Sequence, residues 1–110
     1  MNLPNIKQAL ELKKKLDQAQ KELAKIVVEA DAGRGAVKVC MNGQQKVLSV
    51  KIAPEEISKI TVAAGIDPAK LQRLEEMVEK AVNEAVEKSQ KEAAKQLYSL
   101  TGGLKIPGLM

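Results

Sequence analysis

The residues that could carry out chemistry are few in this chain. Its 110 residues include no His, no Trp, no Phe and a single Cys, at position 40. A tetrahedral zinc site needs Cys or His ligands, and a Ser or Cys nucleophile commonly needs a neighbouring base such as His. Cys40 stands in an alternating stretch, which is typical of a small strand residue. We therefore predict no catalytic, metal-binding or cofactor-binding residues, and a protein that is not an enzyme.

Two other patterns could bind a phosphate or transfer a proton. The A-G-R-G-A segment around Arg34 could offer backbone N–H groups and a guanidinium to a phosphate. The same five residues are explained more simply by a hairpin turn whose glycines adopt positive φ. The sequence contains no G-x-x-x-x-G-K-[ST] and no G-x-G-x-x-G motif. Carboxylate pairs such as Glu75 and Glu79 fall on the polar face of a predicted helix, where they are solvated charge.

A lysine stripe on the first helix is the strongest candidate for a binding surface. Apolar residues recur there at spacings of four and three, at Leu12, Leu16, Ala19, Leu23 and Ile26. On a helical wheel the opposite side carries Lys7, Lys14, Lys21 and Lys25. Such a line of lysines can follow a phosphate backbone, and the alternative is an ordinary solvated helix face. The formal net charge of +4 is modest and argues against very tight electrostatic binding.

Composition also bears on the compartment and on the kind of nucleic acid. Tyr98 is the single aromatic residue, so the stacking of bases on several rings that single-strand binders use is not expected. One Cys cannot form an intramolecular disulfide, which fits a reducing compartment. The start MNLPNIKQA lacks the layout of a signal peptide, and no apolar run is long enough to span a bilayer. We expect a cytoplasmic protein without membrane contact.

The elements that must position these residues follow from the periodicity. Residues 5–25 predict a long amphipathic helix, and residues 26–53 then alternate with a period of two, which predicts a three-stranded antiparallel meander with one apolar face. That face is expected to include the third-strand residues Leu48, Val50 and Ile52. Asn42-Gly43 predicts a type I′ turn between the second and third strands.

The second half of the chain predicts a short helix and a long one. Pro54 suits the first turn of a short helix, and residues 61–66 are expected to form a packed connector. Asp67 and Pro68 predict the N-cap and first residue of a helix that runs to about Leu97. We interpret residues 1–100 as one domain and residues 101–110, TGGLKIPGLM, as a flexible tail.

The length of the last helix predicts a shape and an assembly. About 29 residues give about 43 Å, whereas a compact domain of this size is about 35 Å across. The helices must therefore project beyond the sheet, and one meander cannot cover all of their apolar stripes. We predict an α+β fold with two long protruding helices that forms a homodimer.

Several strings resemble the YbaB/EbfC family of nucleoid-associated DNA-binding proteins. They are IVVEADAGRGAVKVCMNGQQKVLSVKIAPE, the helix LEEMVEKAVNEAVEKSQKEAAKQ and the ending GGLKIPGLM. The resemblance implies a tweezer-like dimer joined through its sheets, whose helices grip duplex DNA. It implies a bacterial or plastid protein on the nucleoid that affects nucleoid organisation and gene expression, with recombination or replication proteins as candidate partners. From the residues themselves we predict that DNA is contacted by Lys7, Lys14, Lys21, Lys25, Arg34, Lys88, Lys91 and Lys95.

Two functions remain open at this point. The first is a homodimer that binds duplex DNA with little sequence preference, which draws on the lysine stripe and on the resemblance. The second is a protein-interaction or chaperone-like adaptor whose helical arms hold a partner protein. The modest charge and the lack of an Arg, Asn and Gln set for reading bases favour the second, and the resemblance favours the first.

Overall fold

The fold is α+β, as predicted, and in chain order a three-stranded sheet follows one long helix and precedes another. The structure, a computed structural model, describes residues 3–100, and it describes side chains for residues 6–99. The elements are α1 Leu3–Lys25, β1 Val27–Ala32, β2 Val37–Asn42, β3 Val47–Ile52, α2 Pro54–Ile60, β4 Thr61–Val62, β5 Gly65–Ile66 and α3 Pro68–Leu100. The predicted tail, 101–110, lies outside the described residues.

The core forms where α3 crosses β1 and β2. The sheet is antiparallel in the order β1-β2-β3, and alternate residues of the first two strands face α3, as the period of two predicts. The buried residues of this core are Ala30, Ala32, Val37, Val39, Met41, Ile60, Leu74, Ala81 and Ala85. Many of them are alanines, which let the helix approach the sheet closely, so a core without Phe or Trp can still be dense.

Beyond the sheet, α1 and the end of α3 pair to form an arm. Ala19 and Leu23 of α1 pack against Ala93 and Leu97 of α3, and Ile26 closes the cluster. The 33 residues of α3 span about 50 Å, and the molecule measures 74 × 23 × 20 Å. The prediction that the helices project beyond the sheet is therefore confirmed. Within residues 3–100, neither helix has a stretch apolar enough to cross a membrane.

The arm is fixed to the sheet at Gly43. Its N–H donates to the carbonyl oxygens of Leu23 at 2.9 Å and Ile26 at 3.1 Å, at the end of α1. A Cβ at Gly43 would lie 2.6 Å from the Leu23 oxygen, so glycine is required for this close approach. Ser89 adds a second link, because its hydroxyl donates to the carbonyl of Asn42 at 2.7 Å in a buried position.

The predicted type I′ turn at Asn42-Gly43 is wrong. Gly43 does not have positive φ; Gln45 does, at 63°. The side-chain oxygen of Asn42 accepts from the N–H groups of Gln44 at 2.9 Å and Lys46 at 3.0 Å, which closes a longer loop. The glycine at this position serves the contact with α1 rather than the turn.

Two further expectations are corrected. The third strand does not bury an apolar face, because α3 lies over β1 and β2 and does not reach it; Leu48, Val50 and Ile52 are 50%, 46% and 40% exposed. Residues 61–66 form a two-stranded antiparallel hairpin, β4 and β5, whose residues are all exposed, rather than a packed connector. The helix start at Asp67 and Pro68 is confirmed, since the Asp67 carboxylate accepts from the N–H of Ala69 at 3.0 Å.

Candidate nucleic-acid interface

The lysine stripe lies on the outer side of the arm. Lys7, Lys14, Lys21 and Lys25 are all exposed. At about 100° per residue they lie about 155° around the α1 axis from Ala19 and Leu23, which contact α3. The last three line a shallow groove with Asp17, Gln18 and Glu22. The Nζ of Lys25 lies 3.3 Å from Glu22 Oε1, an exposed pair that leaves this cation accessible.

A second basic cluster lies at the end of α3, and we call it the arm cleft. Lys88, Lys91 and Lys95 line a cleft of about 440 Å³ together with residues 26–29 at the start of β1. The ammonium group of Lys88 donates to the carbonyl of Glu29 at 2.9 Å, which fixes α3 to the edge of the sheet. Lys88 also lies 3.5 Å from Glu84, and Lys95 lies 3.5 Å from Glu92. Within residues 6–99, Lys91 forms no ion pair.

The structure places these two lysine sets on opposite outer sides of the arm. The three lysines of the arm cleft lie about 170° around the α3 axis from Ala93 and Leu97, which face α1. The lysine stripe likewise faces away from α3. One straight duplex can therefore lie against only one of the two sets in a given protomer.

Arg34 lies at the other end of the sheet from the arm. The six residues of β1 separate it from the end of α1 by about 20 Å. Its turn has three consecutive positive φ values, 64° at Gly33, 57° at Arg34 and 87° at Gly35. The N–H of Gly35 donates to the Asp31 carboxylate at 2.9 Å, which closes the turn. The interpretation as a hairpin turn is confirmed, and the guanidinium is exposed.

Sequence reasoning missed a third basic cluster, which we call the foot cleft. Lys59, Lys70 and Arg73 line a cleft of about 430 Å³, together with Gly33, Glu56, Ile60 and Met77. The residues come from three separate segments, so their proximity is a property of the fold. One signal was present in the sequence: the first turn of α3 has no acidic residue, although acids are favoured at a helix N-terminus.

Acidic residues occupy the middle of α3, between the two basic ends. A shallow depression there is lined by Glu76, Glu79, Lys80, Asn83, Glu84 and Glu87. Residues 75–87 hold five Glu and one Lys, whereas residues 68–74 hold Lys70 and Arg73 and no acid. This segregation of charge restricts where a polyanion can approach the helix.

Comparisons with known proteins agree with this picture. Residues 1–104 match the model of the YbaB/EbfC DNA-binding family. A nucleoid-associated protein of Pelotomaculum thermopropionicum is 38% identical over 104 residues, which cover 94% of this chain and 90% of the relative. A nucleoid-associated protein of Anaeromyxobacter dehalogenans is 39% identical over 104 residues, which cover 94% of this chain and 92% of that relative.

A solved structure shows the same fold at low sequence identity. An uncharacterised protein from Helicobacter pylori matches with a TM-score of 0.70 at 14% identity, over 93% of this chain and 99% of that chain. Since the similarity covers both helices and the sheet, the arrangement of arm and sheet is shared by the two proteins.

Proposed function

The chain belongs to the YbaB/EbfC DNA-binding family, and from this premise we propose that it binds duplex DNA as a homodimer with little sequence preference. The observation that carries the proposal is the lysine stripe, Lys7, Lys14, Lys21 and Lys25. Its cations are exposed on one side of α1 and take no part in the packing of the arm. Lysines spaced in this way contact phosphates, which every duplex presents alike.

The surface around the stripe supports loose sequence preference. The groove beside Lys14 and Lys21 contains one amide side chain, Gln18, and no arginine. Base recognition in the major groove commonly uses bidentate Arg, Asn or Gln contacts. A surface with several lysines and one amide binds the backbone much more strongly than it distinguishes bases.

The second copy is proposed to dock on β3. This strand is at the edge of the sheet, so one side of its backbone is unpaired. Val50 and Ile52 continue the apolar face of Val39 and Val37, their partners on β2, beyond the part that α3 covers. A two-fold axis beside β3 would pair the edge with its own copy and remove the exposed apolar side chains from water.

The relatives named nucleoid-associated proteins support a place on the nucleoid. We propose that the dimer affects nucleoid organisation and gene expression by occupying duplex DNA. Recombination or replication proteins remain predicted partners.

The test is the salt dependence of binding to unrelated duplexes. If a dimer makes about six phosphate contacts, log affinity falls with log salt at a slope near −5, because each contact contributes about −0.9. Affinity then drops about a thousandfold between 50 and 200 mM salt. We expect the same slope and similar affinity for duplexes of different sequence in anisotropy titrations. No binding at 50 mM salt would contradict the proposal.

One observation favours the alternative adaptor function. Leu10 and Leu12 near the start of α1 are more than half exposed, and exposed apolar residues on an arm can hold a partner protein. If the protein fails to bind duplexes but a dimer forms, this alternative becomes the better explanation of the arms.

A further inference from the structure

The foot cleft offers free cations at the end of the molecule farthest from the arm. Glu56, the acid in its lining, lies 3.0 Å from Lys59, so that pair is already formed. Lys70 and Arg73 are exposed, and within residues 6–99 neither forms an ion pair. Two unneutralised cations therefore border a concave surface.

The position of Lys70 and Arg73 near the N-terminus of α3 is electrostatically unfavourable when no anion is bound. The N-terminus of a helix carries partial positive charge, which favours acids and disfavours cations in the first turns. Lys70 and Arg73 stand in the first two turns of α3, and Asp67, the N-cap, is the one acid there. A bound anion would be attracted by both side chains and by the helix terminus.

The foot cleft and the arm cleft lie on the same side of α3. Lys70 and Lys88 are 18 residues apart, and so are Arg73 and Lys91, which is five turns of helix and about 27 Å. Both clefts open beside β1: the arm cleft includes residues 26–29, and the foot cleft includes Gly33, directly after the strand. The two clefts therefore lie at the two ends of the line along which α3 packs against β1, and we call the surface along this line the groove.

The spacing of the two clefts is compatible with the repeat of duplex DNA. Their cations on α3 lie 15 to 25 residues apart, or about 23–38 Å along the helix, and this range includes one turn of the duplex, about 34–36 Å. A strand that lies along this groove brings its phosphates to the protein surface once per turn, at one cleft and then at the other. The segment of α3 between the two clefts does not have to be basic, because the phosphates approach the protein only at the clefts.

The acidic residues of α3 favour the β1 side over the outer side. Glu76, Glu79 and Glu87 lie about 75–155° around the helix axis from the mean direction of the three lysines of the arm cleft, on the side away from the sheet. Glu84, which does share the lysine side, lies 3.5 Å from Lys88. A duplex on the outer side would meet three carboxylates that form no ion pair within residues 6–99. In the arm cleft beside β1, one lining carboxylate, that of Glu29, forms no such pair.

We propose that duplex DNA runs along the groove between α3 and β1, and that Lys59, Lys70 and Arg73 hold its phosphates one helical turn away from Lys88, Lys91 and Lys95. This inference rests on the proposed function, that the chain binds duplex DNA, and it assigns a contact on the body of the molecule. Because the arm cleft and the lysine stripe face opposite ways, the duplex in this groove contacts the arm cleft and not the stripe of the same protomer. It also leaves β3, at the opposite edge of the sheet, free for the second copy.

The first test neutralises the foot cleft in the full-length protein. The variant Lys70→Gln/Arg73→Gln is compared with the exchange Lys70→Arg/Arg73→Lys, which keeps both charges at the same places. For a duplex of about 30 bp, we expect the neutral variant to lose two phosphate contacts in each protomer that contacts the DNA. The slope of log affinity against log salt should therefore become shallower by about 1.8 per such protomer. Its affinity should fall at least tenfold at low salt, while the exchange variant binds like the parent.

The second test uses the unchanged protein, so it does not depend on a variant that folds. Amide resonances of Lys70 and Arg73 are followed by NMR while the same duplex is added. We expect them to shift together with that of Lys91. Resonances of the foot cleft that stay in place while those of the arm shift would overturn the inference.

The outcomes also separate this inference from the function on which it rests. If the parent binds duplexes and the neutral variant keeps the parent's affinity and slope, the foot cleft is not a DNA contact and the proposed function stands. If the parent binds no duplex, both are overturned.

Discussion

The two edges of the sheet differ in the element that borders them and in the polarity of their exposed side chains. The β1 edge is bordered by α3, which contributes a basic cleft at each end of the strand. The β3 edge is bordered by nothing in the described chain, and its exposed side chains are mostly apolar. The first surface suits a polyanion, and the second suits a protein surface of its own kind.

The position of α3 creates this difference. The helix lies across β1 and β2, where small residues such as Ala30 and Ala81 allow close packing. It therefore covers one side of a three-stranded sheet and leaves the other side open. One placement of one helix thus produces both the basic groove and the apolar edge, so the proposed site for DNA and the proposed site for a second copy do not overlap.

The largest expected effect comes from a charge placed in the apolar edge. Val50→Asp would bury a carboxylate in the proposed interface without a partner, which costs several kcal/mol. We expect the dissociation constant of the dimer to rise about a thousandfold. Light scattering after size exclusion at low micromolar concentration should change from about twice 11.9 kDa to the mass of one chain.

The matched control makes the same change at the other edge. Val27 lies on β1 and is also exposed. We expect the variant Val27→Asp to stay dimeric. If both variants are dimers, or if the parent is a monomer, β3 is not the surface where two copies meet.

The next effect concerns DNA and the arm. Lys14→Glu with Lys21→Glu reverses two charges of the lysine stripe, and we expect affinity for unrelated duplexes to fall about a hundredfold at moderate salt with a shallower salt slope. The dimer and the helix content should not change, because both residues are exposed and outside the packing of the arm. Anisotropy titrations and circular dichroism measure the two quantities.

The same helix supplies a control with equal charge change. Lys13→Glu with Lys15→Glu alters two exposed lysines that lie outside the stripe. We expect a much smaller loss, since only the general field of the protein changes. Equal losses in the two pairs would mean that the stripe is an ordinary solvated face, and the adaptor function would gain support.

A smaller effect is expected where the arm joins the sheet. Gly43→Ala places a methyl group 2.6 Å from the Leu23 carbonyl, so the end of α1 must move. We expect a loss of about 1–3 kcal/mol in the free energy of unfolding, measured by denaturant titration. The neighbouring Gln44→Ala removes one exposed hydrogen bond, to the carbonyl of Gln20, and should cost less than about 1 kcal/mol. Equal losses would contradict the role of Gly43.

Local signals were sufficient for much of the fold. Asp67 and Pro68 predict the start of α3 because capping depends on neighbouring residues alone. Alternation in β2 predicts that Val37, Val39 and Met41 are buried, and it does so correctly. These features are decided within a few residues of chain, so the sequence contains all of the information that they need.

Features that depend on distant segments were missed or misassigned. The alternation of β3 is the same whether its apolar face meets the chain's own helix or a second copy, so the exposure of Val50 could not be read from it. The Asn42-Gly43 pair predicts a turn, whereas the contact that requires Gly43 is with Leu23, 20 positions away. The strands β4 and β5 have two residues each, too short for any periodicity. The foot cleft is lined by residues of α2, α3 and the Gly33 turn, and only the folded chain brings these three segments together.

The smallest effect is expected at Cys40, which lies on β2 between the two edges. Its thiol lies 3.6 Å from the Glu29 carboxylate on β1 and has no other polar partner among the described side chains. A serine hydroxyl can donate to the same carboxylate, so Cys40→Ser should change the free energy of unfolding by less than about 0.5 kcal/mol. Dimerisation and DNA affinity should match the parent, and Cys40→Ala, which removes the contact, should differ little because Glu29 remains exposed to water. A tenfold loss of DNA affinity in the serine variant, without a comparable loss of stability, would show that the thiol has a function. The region between the edges would then carry chemistry that neither edge explains.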